Sequence, residues 1–513
     1  FQAEDGIRDR SPSRGLGDVY KRQYLNYDAG TMNPIAHGEV FVTEDGGECD
    51  MDMGNYERFL NQDIPKSHNI TTAQIYSSVI DAERKGEYLG ACVQIIPHVT
   101  DEIKNRIRKI AEEEQLDILI VECGGTVGDI ESLPFLEALR QIKVEEGSEN
   151  VIFVHVTLAP SLDVVGEQKT KPTQHSVQEL RRIGIQPDVL CVRCTTQLQE
   201  KTRKKISMFT NVTEKDVLSC HDVKSIFMVP QILFEQGLVD LIFKKFAKVG
   251  YVNASENWDE WNRIVNSMES DGDTINIAMV GKYVTLADSY VSVNHALKHA
   301  GASINRPVKI DWIDSETLNG NIETLRKYNG ILVPGGFGTR GSEGIIETAN
   351  FARENNIPYL GICFGFQLAA VSFARNVCNL TDANSTEIEN ETKNPIIDLL
   401  PEQDDVTNLG GSLRLGANKI NIQENSMAYE IYNSNTVSKR HRHRYEFNKK
   451  YLESFNKNGM IFSGESDDGR RMEMLEIPSH KFFLGVQFHP EFNSRPGFPE
   501  QSFKAFISAA GMN

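Results

Sequence analysis

Cys363 lies in a sequence pattern that is typical of a catalytic thiol. An apolar run that ends at Leu360 is followed by GICFG (361–365) and then by the helix-like run FQLAAVSFARNV. A strand, a G-x-C-x-G turn and a helix form a nucleophile elbow, which exposes the thiol at a helix N-terminus that favours the thiolate. A free cysteine is more often a small buried residue, but the glycines on both sides favour the nucleophile.

A base and a group that could orient it follow near the C-terminus. GVQFHPE (485–491) places His489 and Glu491 two residues apart at the end of a predicted strand, where their side chains point the same way. Taken alone, His-Pro-Glu is most often a turn. Together with Cys363 it predicts a Cys-His-Glu triad, in which Glu491 holds the imidazole and His489 activates the thiol.

A glycine-rich loop between the predicted strands allows two interpretations. GGFGTRG (335–341) contains a formal G-x-G-x-x-G, the dinucleotide-binding pattern, which requires a carboxylate at the end of the next strand. That strand ends instead in the elbow of Cys363. We therefore expect an oxyanion loop, in which the backbone N–H groups of Gly336 and Phe364 stabilise a tetrahedral intermediate.

The N-terminal half carries carboxylates and lysines suited to a nucleotide. Glu122 ends the apolar run DILIVE, and Asp52 lies in the acidic run EDGGECDMD. Carboxylates at strand ends suit Mg²⁺, although a solvated acidic loop is the plainer alternative. The predicted loop GEQKTKPTQ (166–174) holds Lys169 and Lys171 and predicts a local anion site, unless it is an ordinary exposed turn.

Composition limits the classes of protein and partner. The chain has 513 residues and a formal net charge of −18, so we expect no nucleic-acid partner. No apolar stretch approaches the about 20 residues of a membrane-spanning helix, so we expect no membrane partner. Eight cysteines in so long a chain, without a secretory start, indicate reduced thiols and a cytoplasmic location.

Alternating apolar strands and helical stretches predict two α/β domains. DILIVE, VIFVHVTL and DVLCVRC are strands of the first domain, and helical periodicity runs over 101–114 and 176–183. INIAMVG, VKIDWID, NGILVPGG, IPYLGICFG and FFLGVQFHP are strands of the second. We place the first domain at 24–251, a linker with a short helix at 252–274 and the second domain at 275–513. Residues 386–408 are predicted to form an irregular surface insertion.

The C-terminal motifs PGGFG, G-I-C-x-G-x-Q and F-H-P-E, in this order, strongly resemble the class I glutamine amidotransferases. The resemblance implies hydrolysis of glutamine to glutamate and ammonia through a thioester on Cys363. Its implied glutamine contacts are Gly336, Phe364, Gly365, Phe366, Gln367, Glu387 and Arg444. Arg444 would pair with the amino-acid carboxylate, for which a guanidinium fork is well shaped.

From residue 24 to the C-terminus, the chain resembles the CTP synthase family. Its blocks are YLNYDAGTMNPIAHGEVFVTEDGGECDMDMGNYERFL, VECGGTVGDIES, GEQKTKPTQHSV, RKKISMF, NLGGSLRLG and RHRHRYEFN. The resemblance implies that ATP phosphorylates the 4-oxygen of UTP and that ammonia then displaces phosphate to give CTP. It also implies a P-loop-NTPase-like parallel sheet in the first domain, feedback inhibition by CTP, activation by GTP, a homotetramer and possible filaments.

The same resemblance implies roles for individual residues. The UTP site, which CTP overlaps, would include Lys169, Thr170, Lys171, Pro172, Thr173, Gln174 and Lys205, with Asp129, Ile130 and Glu131 as further CTP contacts. Asp52 and Glu122 would hold Mg²⁺, with Asp52 also near ATP, and His221, Asp222 and Val223 would contact the adenine side. Arg414 would belong to a lid that responds to GTP.

The N-terminus departs from the family. Residues 1–23 lack apolar periodicity and resemble translated sequencing-adapter read-through, so we expect a non-native tail. The family's G-x-x-x-x-G-K-[ST] phosphate loop is absent from the sequence, since Gly281-Lys282 has Asn276 where the first glycine belongs. We therefore expect impaired ligation with glutaminase activity retained. An uncoupled glutaminase and a non-catalytic filament-forming paralogue are the alternatives.

Overall fold

The computed structural model describes residues 16–22, 25–32, 38–162, 166–246, 258–270, 272–283, 287–318, 320–399 and 413–512. Its strands are β1 (Leu16–Arg22), β2 (Val40–Val42), β3 (Glu48–Asp50), β4 (Asn69–Thr71), β5 (Ile118–Cys123), β6 (Val154–Leu158), β7 (Ser161–Leu162), β8 (Glu167–Gln168), β9 (Val189–Cys194), β10 (Val217–His221), β11 (Ile275–Gly281), β12 (Val308–Asp314), β13 (Gly330–Val333), β14 (Tyr359–Ile362), β15 (Ala383–Ser385), β16 (Asn394–Leu399), β17 (Arg414–Ile422), β18 (Thr436–His443), β19 (Tyr445–Phe447), β20 (Ile461–Ser466), β21 (Met472–Glu476) and β22 (Phe483–Val486).

Its helices are α1 (Met51–Leu60), α2 (Thr72–Arg84), α3 (Thr100–Glu113), α4 (Leu133–Glu146), α5 (Lys171–Ile183), α6 (Glu200–Thr210), α7 (Val229–Glu235), α8 (Leu238–Lys245), α9 (Trp258–Met268), α10 (Val291–Ser303), α11 (Ser342–Glu354), α12 (Phe364–Asn376), α13 (Met427–Tyr432), α14 (Leu452–Lys457) and α15 (Gln501–Ala510). The chain divides into two compact units, Phe1–Tyr27 with Ser67–Val265 and Asp28–Lys66 with Asn266–Asn513.

The first unit contains two three-stranded parallel sheets, ordered β4-β1-β5 and β10-β9-β6. The three strands predicted from apolar runs are β5, β6 and β9. Helix α3 packs on the first sheet because Ile103, Ile107 and Ile110 recur at helical spacing on its buried face. The alternation of strands and helices predicted from the sequence is confirmed in this unit.

Two strands of the first unit leave apolar side chains exposed. Ile118 and Ile120 of β5 are 37% and 47% exposed, and Val154, Val156 and Leu158 of β6 are 46–64% exposed. Strands of parallel sheets are ordinarily covered on both faces. In this structure the alternate residues of β5 and β6 remain exposed to solvent.

The N-terminal tail differs in part from the sequence expectation. Residues 1–15 and 23 lie outside the described residues, but β1 is formed from tail residues and lies between β4 and β5. Its backbone pairs in parallel with both, with Tyr20 opposite Asn69 and Asp18 opposite Ile120. Backbone pairing sets no strict requirement on side-chain pattern, which explains how a segment without apolar periodicity occupies a strand position.

The second unit is built on a nine-stranded sheet, ordered β12-β11-β13-β14-β22-β21-β20-β17-β18. The five strands predicted from the sequence are its parallel part, β11 to β14 and β22. Buried apolar side chains cover both faces of this sheet and form two core clusters. The two-domain α/β fold class is therefore confirmed.

The structure differs from the sequence expectation in two further segments. Residues 394–399, expected to be irregular, form β16, because Ile396 and Ile397 are fully buried between β15 and β19; residues 400–408 lie outside the described residues. Residues 28–66, which the sequence analysis placed in the first domain, group with the second unit. The predicted domain boundaries themselves remain a prediction.

The helix expected within the linker is α9. Its Trp261 packs in the first unit, where the indole N–H donates to the carbonyl of Phe227 at 2.8 Å. Residues 252–257 and 271 lie outside the described residues. Among the helices of the described residues, none is by itself long and apolar enough to cross a bilayer, although the bent pair Ile226–Glu235 and Leu238–Lys245 meets the length and composition test jointly.

Candidate active site

Cys363 occupies the turn between β14 and α12, as the G-x-C-x-G pattern predicts, but the residue is only 5% exposed rather than open to solvent as expected. Its backbone has φ 50° and ψ −96°, a conformation that is rare for a residue with a side chain and typical of a nucleophile elbow. The Cys363 N–H donates to the carbonyl of Val486 at 2.7 Å, which fixes the turn against β22. Gly365 must be a glycine, because a Cβ there would collide with the carbonyl of Val333.

His489 and Glu491 form the expected pair. Nδ1 of His489 lies 2.7 Å from Oε1 of Glu491, and both side chains are buried. The segment is not extended as predicted, since a 3₁₀ turn begins at Pro490, but the turn still brings the two groups together. Within the described residues, Nε2 of His489 is buried without a hydrogen-bond partner, which leaves it available to the thiol of Cys363.

Burial and nearby charges have opposite effects on the pKa of His489. Burial alone would lower the pKa of His489, but the Glu491 carboxylate and the Cys363 sulfur raise it from 6.5 to about 10. Because the folded pKa lies above the unfolded one, protonation of His489 stabilises the fold fully below about pH 6.5. That contribution is lost as the pH rises towards 10.

We expect Glu491→Gln to lower glutamine hydrolysis by about 10²- to 10⁴-fold, because a triad base without its orienting carboxylate adopts the wrong tautomer. The variant should also unfold at a lower temperature than the parent, since protonated His489 loses its partner. The gap in melting temperature should be widest below about pH 6.5 and should narrow towards pH 10. Thermal unfolding and glutamate release across this range check both; a gap that does not change with pH would contradict the assignment.

The glycine loop lies against the triad. A Cβ on Gly335 would lie 2.8 Å from Cε1 of His489, so only glycine leaves room for the imidazole. A Cβ on Gly336 would lie 3.6 Å from the ring of Phe364, the first residue of α12. The N–H groups in the first turn of a helix have no intrahelical acceptor. The loop and the helix start are therefore adjacent, as an oxyanion site formed by Gly336 and Phe364 requires.

Lys282 anchors this loop, a role that the sequence analysis missed. Its Nζ donates to the carbonyls of Phe337, at 3.0 Å, and of Gly338, and lies 4.1 Å from the centre of the Phe364 ring. Burial lowers the pKa of Lys282 to about 8, against the effect of Glu387. From the sequence, Lys282 was considered only as part of a failed phosphate loop. Its position at the end of β11, an inner strand of the sheet, was the available signal.

The structure gives the surroundings of three residues that were expected to contact glutamine. Glu387 accepts the N–H of Gly338 at 2.7 Å, and burial raises the pKa of Glu387 against the effects of this bond, Lys282 and Arg444. The amide of Gln367 donates to the carbonyl of Tyr445 at 2.9 Å. Phe366 is fully buried in the core. Their roles toward glutamine, like those of Gly365 and Phe364, remain predictions.

Two histidines of the R-H-R-H-R run are buried beside Arg414. Nε2 of His441 lies 2.9 Å from Oε2 of Glu473, and Arg414 donates to Oε1 of Glu473 at 2.6 Å. His441, His443 and Glu473 are close enough to hold a metal ion. The guanidinium already supplies the positive charge that Glu473 needs, so these side chains form a structural network. Residues 408–412 of the segment NLGGSLRLG, the expected lid that contains Arg414, lie outside the described residues.

The basic segment of the first unit is partly helical rather than a loop. Helix α5 begins at Lys171, with Thr170 as N-cap and Pro172 in its first turn, where proline is favoured. Thr173 donates to the carbonyl of Leu158 at 3.0 Å, and Gln174 bonds back to Thr170. Helical periodicity predicted the helix only from residue 176, because Lys-Pro-Thr before it resembles a turn. A helix N-terminus adds backbone N–H groups to an anion site.

Further charges surround this helix start. Lys169 lies 2.7 Å from Glu167, and the pKa of Glu167 is lowered chiefly by Lys169, with smaller effects of Lys201 and Lys205. Lys205 was expected here from the resemblance; Lys201 was missed. Lys169, Lys201 and Lys205 thus act on Glu167, four residues before Lys171 at the start of α5. A cluster of this kind attracts phosphate groups.

The other nucleotide candidates of the first unit follow the carboxyl ends of parallel strands. Glu122 is near the end of β5, and β10 ends at His221. Asp222 accepts from Arg193 at 2.7 Å. In open α/β sheets, ligands bind outside these strand ends. The remaining candidates are placed as follows: Asp129 caps a 3₁₀ turn that contains Ile130 and Glu131, Val223 follows Asp222, and Asp52 lies in the first turn of α1 in the second unit.

Two family models match the chain. The model described as CTP synthase N-terminus matches residues 19–248, and the model described as Glutamine amidotransferase class-I matches residues 285–509. Together the two models match most of the chain. The first covers most of the described first unit, and the second covers most of the second unit. The first model covers the basic segment and the strand ends, and the second covers Cys363, His489 and Glu491.

Individual relatives extend over nearly the whole chain. The CTP synthase of Pyrococcus abyssi is 55% identical over 489 residues, which cover 95% of this chain and 90% of the relative. The CTP synthase of Staphylococcus saprophyticus is 50% identical over 489 residues, with 95% and 91% coverage. Among solved structures, the glutaminase domain of Trypanosoma brucei CTPS with bound acivicin is 39% identical and covers 47% of this chain and 94% of that one, with a TM-score of 0.44.

Proposed function

This chain belongs to the CTP synthase family, and on that premise we propose how its residues carry out the reaction. The enzyme is a ligase that forms a C–N bond on UTP, with ATP as the energy source and glutamine as the nitrogen donor. The observation that carries the assignment of residues is the strained turn of Cys363, packed beside the hydrogen-bonded pair of His489 and Glu491.

In the second unit, Cys363 is the nucleophile for glutamine. With its proton held by His489, the sulfur adds as a thiolate to the amide carbon, and the resulting oxyanion accepts hydrogen bonds from the N–H groups of Gly336 and Phe364. His489 then protonates the leaving nitrogen, so that ammonia departs and a thioester remains. Water, deprotonated by His489, releases glutamate. Arg444 pairs with the amino-acid carboxylate, and Lys282 and Glu387 hold the glycine loop in place.

In the first unit, the lysines at the start of α5 bind the phosphates of UTP. Lys169, Lys171 and Lys205 supply positive charge, and Thr170, Thr173 and Gln174 fix the helix start that presents them. ATP phosphorylates the 4-oxygen of UTP, and ammonia displaces phosphate to give CTP, which competes for the same site. Asp129, Ile130 and Glu131 contact CTP, and the segment from His221 to Val223 contacts the adenine side of ATP.

Glu122 and Asp52, which belong to different units, each carry a carboxylate of the kind that suits Mg²⁺, since this ion binds through one or two carboxylates together with substrate phosphates. Both side chains are half-buried and lie at the end of a strand or the start of a helix. When bound, the ion would neutralise charge on the triphosphates.

We propose further that the enzyme is cytoplasmic, that GTP activates it through the segment before Arg414, and that it forms homotetramers and filaments.

Binding of UTP tests the phosphate site. We expect Lys171→Ala to weaken UTP binding about 10- to 150-fold, because a charged hydrogen bond contributes about 1.5–3 kcal/mol. Lys204→Ala is the matched control: Lys204 lies beside Lys205 but pairs with Glu200 at 2.6 Å, so its removal should change affinity little. Titration calorimetry with UTP measures both. Equal affinities in the two variants would overturn the site.

We propose that ligation by these 513 residues is weaker than their glutaminase activity. The sequence holds no G-x-x-x-x-G-K-[ST] loop, whose backbone N–H groups and lysine cradle phosphates. The exposed apolar residues of β5 and β6 support the proposal, because they are the side chains that a further central element would cover. An uncoupled glutaminase would have no use for the lysine cluster, and a non-catalytic paralogue would have no use for the triad.

A further inference from the structure

Helix α1 lies outside the residues matched by the amidotransferase family model, yet its middle contacts that half of the chain. Glu57 is fully buried, and its Oε2 accepts from Arg440 at 2.9 Å and from Arg495 at 2.6 Å. Its Oε1 accepts the N–H of Ile64 at 3.0 Å. Both carboxylate oxygens are therefore used inside the second unit, where the two guanidinium groups share this buried anion. The more exposed Asp63 also accepts from both arginines, at 2.7 and 2.9 Å, and Glu44 accepts from Arg440 at 2.9 Å.

The first arginine of this cluster belongs to the strand that borders the triad. The carbonyl of Arg440, on β18, accepts the N–H of His489 at 2.8 Å. Two residues further on, the carbonyl of Arg442 is the acceptor for the Cys363 thiol, at 3.7 Å. The position of β18 thus sets the backbone groups that hold both the base and the nucleophile.

The second arginine follows the turn that carries the base. Arg495 donates to the carbonyl of Phe492 at 2.7 Å, and the ring of Phe492 stacks on His489 with 5.3 Å between ring centres. Phe41 of β2 packs edge-on against the same ring at 4.9 Å. Residues 38–66 therefore contact both the strand beside the triad and the turn behind it.

We infer that Glu57 is a positioning residue for glutamine hydrolysis, which acts by fixing Arg440 and Arg495 and through them the backbone around His489 and Cys363. The inference rests on the proposed roles of the triad. Without this carboxylate, the two buried guanidinium groups lose their one fully buried anion, and the exposed Asp63 and Glu44 screen their mutual repulsion less well. Separation of β18 from the turn at His489 would move the base relative to the thiol, and a misplacement of about 1 Å can cost about 10²-fold in rate.

Glu57→Gln in the full chain tests this inference. We expect kcat for glutamate release to fall about 10- to 100-fold with KM for glutamine nearly unchanged, because the variant disturbs the base and not the substrate pocket. The pH profile of kcat should shift as well, since His489 loses its fixed surroundings. Glu476→Gln is the matched control, because Glu476 is equally buried but accepts N–H groups of Met427 and Ala428 at the start of α13.

Two further variants separate positioning from folding. Glu57→Asp keeps the charge and should show an intermediate kcat even if Glu57→Gln does not fold. Adding Arg495→Met to Glu57→Gln removes one of the two buried cations and leaves Arg440 with Asp63 and Glu44, so it should recover part of the lost rate. Normal kcat and pH profile in folded Glu57→Gln or Glu57→Asp would overturn the inference, whatever the loss of thermal stability. If Cys363→Ala still released glutamate, the proposed function itself would fail.

Discussion

Replacing Cys363 with alanine is expected to lower glutamate release from glutamine by at least about a thousandfold. The sulfur forms the covalent intermediate, and alanine offers no atom that can replace it. Removal of the nucleophile from a triad costs as much as the removal of all its members, so substitution of His489 in the same chain should add little further loss. Initial rates of glutamate release from the parent and both variants test this non-additivity.

The matched control is Cys378→Ala. Cys378 is a partly buried thiol of the same unit, and it lies near the carbonyl of Ser454 and the amide of Asn458 rather than near the triad. Its removal should leave glutamate release within about twofold of the parent. Equal losses of activity in the two cysteine variants would show that thiol substitution disturbs the fold. That result would contradict the assignment of Cys363 as the nucleophile.

The second large effect concerns the N-terminus. Exchange of residues 1–23 for the segment that precedes the corresponding position in the Pyrococcus abyssi relative is expected to raise CTP formation about a hundredfold or more. A G-x-x-x-x-G-K-[ST] loop, where present, supplies several preorganised donors to phosphates, and loss of even one such donor typically costs 10²- to 10³-fold. Glutamate release per molecule should change far less, because the triad belongs to the other unit.

The control for this exchange is the same graft with its phosphate-loop lysine replaced by alanine. That graft supplies the same backbone but lacks the charge that contacts the phosphates. It should not reach the full rate of CTP formation. If the 513-residue chain already formed CTP as fast as the graft, the proposed shortfall in ligation would be wrong.

Local patterns predicted the parts of the site that lie within one turn or strand. The elbow of Cys363 could be predicted because an apolar run, two glycines and a helix former stand in one short segment. The pair of His489 and Glu491 could be predicted because only Pro490 separates them. The start of α5 was missed because Lys171-Pro172 resembles a turn, although proline is common in the first turn of a helix.

Contacts between distant parts of the sequence could not be predicted in this way. Glu57 and Arg440 are 383 residues apart, and no local pattern relates them. Lys282 was judged by its neighbours in sequence, whereas its role depends on the loop at 335–338 that folds over it. The burial of Glu57 could not be predicted from its residue type either, since a glutamate is rarely fully buried unless it is paired.

The most direct test of the account measures two products in one reaction. The 513-residue chain is supplied with UTP, ATP, Mg²⁺ and glutamine, and the release of glutamate and the formation of CTP are followed together. We predict glutamate release that depends on Cys363, with CTP formed at a small fraction of that rate. No glutamate release by well-folded protein would contradict the assignment of the triad. CTP formed in equal amount to glutamate would contradict the proposal that ligation is impaired because the 513 residues hold no G-x-x-x-x-G-K-[ST] pattern.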